Sequence, residues 1–194
     1  VGMIALPLAV YPAALMAAGA LVRKRKEASF TILPRVSCLI AARNEAGCIA
    51  ARIENLLNQD YPGDRLEIIV GSDASDDDTD LIVQSYSHRG VILYRSPERV
   101  GKSDIMTELK KIAGGDILVM TDANTMFRRD TVSNLIKPFA DPAIGCVDGS
   151  RRNSLETETC ESAYWRYETW LKKLCGRLGA VLGATGAVFA LRKK

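Results

Sequence analysis

The stretch VILYRSPERVGKSDIMTELKKIAGGDILVMTD, residues 91–122, decides the fold. VILYR (91–95) is an apolar run short enough for a buried strand, and SPERVG ends it with Pro97 and Gly101. The segment near 103–113 has apolar residues at helical spacing, and DILVMTD (116–122) is a second apolar run that closes on an acid. Strand, loop, helix, strand is the pattern of an α/β domain with a mostly parallel sheet. It is also the layout of an ATP-binding P-loop, with GKS at 101–103 and an acid where a magnesium ligand would stand.

The alternation continues outward. Upstream come VSCLIA (36–41), the helical pattern EAGCIAARIENLLNQD (45–60), a YPGD turn, LEIIVGS (66–72) and DDDTDLIVQSYS (76–87). Downstream come a short helix RDTVSNLIKPFA (129–140), a strand IGCVDGS (144–150), a long amphipathic helix over 155–178 and a last strand AVFALR (187–192). Ligands of such sheets bind beyond the carboxyl ends of the strands. The informative residues therefore lie in AARNEAG, SDASDDDT, SPERVGKS and DAN, four loops expected to line one cleft.

In SDASDDDT, Ser75 or Asp76 is expected to cap the next helix, and Asp77, Asp78 and Asp80 suit the positive end of its dipole. Asp73 precedes that helix and is free to accept a hydrogen bond from a base or ribose. Asp122 and Asn124 alternate to the same side, a carboxylate and an amide oxygen suited to Mg²⁺ or Mn²⁺. Lys102 is a point-charge donor for phosphate. A P-loop would need Gly where Ser96 stands; Pro97 removes an amide there and Glu98 adds negative charge. A P-loop-like ATPase using Lys102 and Asp122, a nucleotidyltransferase and a non-enzymatic binding module stay open as alternatives.

The 194 residues suffice for one domain with a core, and the formal charge of +3 gives no reason to expect a nucleic-acid partner. The five cysteines form no C-x-x-C pair, and a single histidine excludes a His-rich zinc site. Residues 1–22 carry no charge and are followed by RKRK at 23–26. As a helix they would span about 33 Å, against a hydrocarbon core of about 30 Å. The expectation is a transmembrane anchor with a basic flank over 1–26 and a juxtamembrane linker over 27–35. A domain over 36–194 follows, placed on the cytoplasmic side of the inner (plasma) membrane.

Taken together, the four loops make the chain resemble the membrane-bound family 2 glycosyltransferases of the GT-A fold, which include the cellulose and hyaluronan synthases. The resemblance implies a Rossmann-like, mostly parallel sheet flanked by helices, and transfer of a sugar from a nucleoside diphosphate, with a UDP-sugar as the expected donor. The acceptor would be a hydroxyl of a glycan or lipid-linked molecule. In AARNE (41–45) it implies nucleotide contacts from Ala41, Arg43 and Glu45, with Arg43 stacking on the uracil. Asp73 matches the uracil-binding acid of a D-D-G-S-x-D-x-T motif, and Asp77 its second acid. Lys102 matches the lysine of G-K-x-x-A-L-N that reaches the diphosphate, with Thr107 where the motif has Asn. Asp122 and Asn124 match the D-x-D metal motif, Asn replacing its second carboxylate. GATGA (183–187) resembles the acceptor-site loop, with Gly183, Thr185 and Gly186 as its residues.

The family's general base lies in an E-D or D-D motif after that loop, followed by Q-x-x-R-W. Neither motif occurs in residues 1–194. Glu156, Glu158, Glu161 and Glu168 precede the loop on a helix whose solvated face accounts for them. The expectation is a donor-binding part whose C-terminal portion, with the base, lies beyond Lys194. Such a part would bind UDP without catalysing transfer.

Overall fold

A computed structural model describes residues 2–21, 29–149, 160–179 and 187–193. The chain divides into two units, 1–27 with 150–184, and 28–149 with 185–194. The second unit is a six-stranded sheet with helices on both faces. Its elements are β1 (Val36–Ala42), α2 (Ile49–Leu57), β2 (Leu66–Ser72), α3 (Thr79–Ser85), β3 (Val91–Arg95), α4 (Lys102–Ile112), β4 (Ile117–Asp122), α5 (Thr131–Ile136), β5 (Cys146–Asp148) and β6 (Val188–Arg192). The strand order is β3-β2-β1-β4-β6-β5. The first four strands are parallel, and β6 runs antiparallel to both β4 and β5.

Strands buried on both faces read as continuous apolar runs, which is why VSCLIA, LEIIV and ILVM were legible. Alternation splits each run. Val36, Cys38 and Ile40 face a core shared with Ile49, Ile53 and Leu56 of α2, Val83 of α3 and Val132 of α5. Leu39, Ile69 and Leu118 face the other way, onto Ile105, Met106 and Leu109 of α4. Among the described residues α4 covers that second face, and it comes close: a Cβ at Gly71 would run into Ile105. Gly115, in the turn before β4, would place a Cβ 2.6 Å from the Ser37 amide nitrogen.

The other unit contains α1 (Gly2–Leu21) and α6 (Cys160–Arg177), which pack on one another. Pro12 of α1 is buried, as are Leu174 and Cys175 of α6. The expected transmembrane span finds no support here. Among the described residues, no helix is long and apolar enough to cross a membrane. The basic run 23–26 lies outside the described residues. The expected strand 144–150 shortens to Cys146–Asp148, and of the expected helix over 155–178 the described part is Cys160–Arg177.

Candidate active site

The strand register brings the expected loops together. Ala41 of β1 lies beside Gly71 of β2 and Asp122 of β4, and Ser72 lies beside Arg95 of β3. The loops after four parallel strands thus leave one edge of the sheet, where the crevice of an open α/β sheet forms.

The first two loops are locked by reciprocal hydrogen bonds. Asn44 sits at φ 53° and Ala74 at φ 50°, left-handed conformations that side-chain bonding supports at Asn44. The Asn44 amide donates to Ser75 Oγ at 3.2 Å, and the Asp76 amide donates back to Asn44 Oδ1 at 2.9 Å. The Glu45 amide donates to Thr79 Oγ1 at 2.8 Å and the Ala46 amide to Asp77 Oδ2 at 3.1 Å. Capping at α3 differs from expectation. The helix starts at Thr79, so Asp77, and not Ser75 or Asp76, accepts from the first-turn amide of Thr79 at 3.0 Å. Hydrogen bonds from Thr79 hold the Asp77 carboxyl below its ordinary value. Arg43 donates to the Asp73 carbonyl at 3.3 Å and lies 3.7 Å from Asp76 Oδ2. The Glu45 carboxylate accepts from the Cys48 thiol at 3.0 Å, and burial together with that bond pushes the thiol up to about 11.

Asp73 is only 6 % exposed. Its carboxylate accepts from the Val100 amide at 2.7 Å and from the Gly101 amide at 3.0 Å. Sequence reasoning read Asp73 as a group free to meet a base; the structure gives it a second task, fastening the loop that carries Lys102. This also bears on the P-loop alternative. Backbone amides that would have to wrap a phosphate are turned onto a carboxylate.

Lys102 opens α4 after Gly101, which takes φ 94°. Its ammonium pairs with the Asp122 carboxylate at the end of β4, and both side chains remain reachable by solvent, at 52 % and 34 % exposure. β4 ends at Asp122, so Asn124 follows in a turn and not by strand alternation; Ala123 between them is buried and Asn124 is exposed. Their hard oxygen donors fit Mg²⁺ or Mn²⁺. Among the described residues, no group of three or more His, Cys, Asp or Glu side chains could hold a metal. A cation here would take its remaining ligands from a diphosphate and water. Thr107, at the motif's Asn position, spends its hydroxyl on the Ser103 carbonyl at 2.9 Å. Gly183, Thr185 and Gly186 lie outside the described residues.

One residue escaped the sequence reading. Arg52 occupies the apolar face of α2 with Ile49, Ile53 and Leu56, and it is fully buried. Burial pulls its guanidinium down to about 10, against the fields of Cys38 and Asp122, so it stays charged at neutral pH. A cation at i+3 on an otherwise apolar stripe was the available signal.

The chain matches the model of glycosyl transferase family 2 over residues 37–193. It is 31% identical over 125 residues to a beta-monoglucosyldiacylglycerol synthase of Synechocystis, covering 62% of this chain and 26% of that protein. It is 26% identical over 171 residues to an N-acetylglucosaminyltransferase of Rhizobium meliloti, covering 83% of this chain and 40% of that one. Among solved structures, a mannosyltransferase of Pyrobaculum calidifontis in complex with GDP-Man and Mn²⁺ superposes with a TM-score of 0.77 at 28% identity. The match covers 98% of this chain and 55% of that one. The chain thus spans between about a quarter and two fifths of the length of these two curated relatives. With a GT-A-like sheet whose loops meet as described and a match over nearly its whole length, the chain belongs to glycosyl transferase family 2.

Proposed function

We propose that this chain forms the donor-binding part of a metal-dependent, inverting glycosyltransferase. It would transfer a hexosyl or N-acetylhexosaminyl group from a UDP-sugar to a hydroxyl of a glycan or lipid-linked acceptor in cell-surface glycan or glycolipid synthesis. The observation that carries the reading is the meeting of Lys102 and Asp122 at the sheet edge, a cation for the diphosphate beside a carboxylate for the metal. Mg²⁺ or Mn²⁺ held by Asp122 and Asn124 would supply charge stabilisation to the departing diphosphate. Lys102 would leave Asp122 and move onto the phosphate oxygens, adding a second positive charge where negative charge develops. Asp73 would present its remaining lone pairs to the uracil, and Arg43 its guanidinium face. The E-D or D-D motif that supplies the acceptor's base in the family does not occur after the acceptor-loop motif within residues 1–194. The same reading places the protein at the cytoplasmic face of the inner (plasma) membrane, with the basic run RKRK at 23–26 as its support in the sequence.

The test is a calorimetric titration with UDP, GDP and ATP, each with and without Mn²⁺. Tight binding of UDP that strengthens with Mn²⁺, and loses that gain in Asp122→Ala, is the expected result. GDP in place of UDP would keep the donor site and overturn the base assignment. Binding of ATP alone would return the P-loop reading.

A further inference from the structure

Arg52 makes contacts a core filler would not need. Its Nη1 donates to Asn55 Oδ1 at 2.7 Å and its Nη2 to Thr121 Oγ1 at 3.0 Å. The guanidinium carbon lies 4.0 Å from the centroid of the Phe127 ring. Its Nε is buried without a hydrogen-bond partner. A methionine or leucine on this apolar stripe would avoid the desolvation of a buried cation.

The partners of Arg52 explain what the cation does there. Asn55 grips the backbone of Phe127 as a strand would, donating from Nδ2 to the carbonyl at 2.8 Å and accepting from the amide at 2.8 Å. Thr121 immediately precedes Asp122, and its hydroxyl donates to the Ala187 carbonyl at 3.1 Å. Arg52 therefore joins the residue before the D-A-N turn to the residue that closes it. Through Thr121 it also reaches Ala187, the last residue of the acceptor-loop motif, directly before β6. A planar fork can hold two acceptors in fixed directions while stacking on a ring, and an ammonium cannot.

We propose that Arg52 is a positioning residue, a buried clamp that with Asn55 fixes both ends of the 122–127 turn. It thereby sets the spacing of Asp122 and Asn124 for a divalent cation. The proposal rests on the donor-site reading above for its purpose, but the clamp itself can be tested without a ligand.

The experiment compares wild-type protein with Arg52→Met and Arg52→Lys. Arg52→Lys serves as the mild variant, keeping the charge and most of the side-chain volume. Amide hydrogen exchange is read first, without ligand. The amides of 123–127 should exchange at least tenfold faster in both variants, while β2 and β3 change less than twofold. UDP is then titrated with and without Mn²⁺. The gain in affinity that Mn²⁺ confers should fall at least fivefold in Arg52→Lys, with metal-free affinity within twofold of wild type. Unchanged exchange at 123–127 would overturn the clamp. So would faster exchange with an undiminished Mn²⁺ effect, because Arg52 would then stabilise the turn without serving the site. Absence of a Mn²⁺ effect in the wild-type protein would overturn the donor-site reading, and with it the purpose assigned to the clamp.

Discussion

Replacing Asp73 by alanine should loosen one loop and leave the sheet intact. The carboxylate is 6 % exposed and accepts two backbone amides, those of Val100 and Gly101. Hydrogen bonds to a charged group contribute about 1.5–3 kcal/mol each. Val100 is 39% exposed, so water takes up part of the loss once the carboxylate is gone. The expected destabilisation is therefore about 2–4 kcal/mol, below the sum of two full charge-assisted bonds. Asp73→Asn retains one acceptor oxygen but sets an NH₂ group against the second amide, and it should cost nearly as much. Urea denaturation followed by far-UV circular dichroism measures the total, and hydrogen exchange at Val100 and Gly101 localises it. A loss below about 0.5 kcal/mol in both variants, which is the range of ordinary surface substitutions, would refute the loop-fastening role.

Other consequences follow from equally specific contacts. Gly115→Ala should destabilise by about 1–3 kcal/mol or more in the same denaturation assay, because its Cβ would meet the rigid backbone of β1 at Ser37 and Val36. The Asp77 carboxyl is depressed below its ordinary value of 3.8 by hydrogen bonds from Thr79, so its stabilisation is complete above that value. It is lost as the pH falls below 3.8 through the lower folded value. Exchange at the Ala46 and Thr79 amides, read by NMR and corrected for intrinsic rates, should accelerate there, and Asp77→Asn should abolish the pH dependence. Lys102→Met should weaken UDP binding by about tenfold, roughly one charge-assisted contact, while uridine, which lacks phosphates, binds the variant and wild type alike in parallel calorimetric titrations.

Much of this architecture was legible because parallel strands covered on both faces spell themselves out as apolar runs. The runs ending at Ala42, Ser72, Arg95 and Asp122 all proved to be neighbouring strands, so the loops after them had to share an edge. The insertion of β6 between β4 and β5 was not legible, since it depends on pairing residues far apart in sequence. Asp73 was recognised as important but half understood. Its position at a strand end pointed outward, to a ligand, and nothing in local sequence marks the amides of Val100 and Gly101 as its partners. Arg52 was missed because helical periodicity classes it with the polar face by residue type, when its position on the Ile49–Ile53–Leu56 stripe puts it inside. The apolar N-terminal stretch shows how a pattern can leave the surroundings of a helix open. Length and lack of charge argued for a span, whereas the described part of α1 packs on α6.

The central claim is that Lys102 and Asp122, paired with each other in this structure, part to receive a diphosphate and its metal. A crystal structure of the protein with UDP and Mn²⁺, with anomalous data collected for manganese, tests it directly. The account requires the manganese peak on the Asp122 carboxylate and the Asn124 amide oxygen, with the Lys102 ammonium moved onto a phosphate oxygen. Nucleotide and metal bound elsewhere, with the Lys102–Asp122 pair intact, would contradict it.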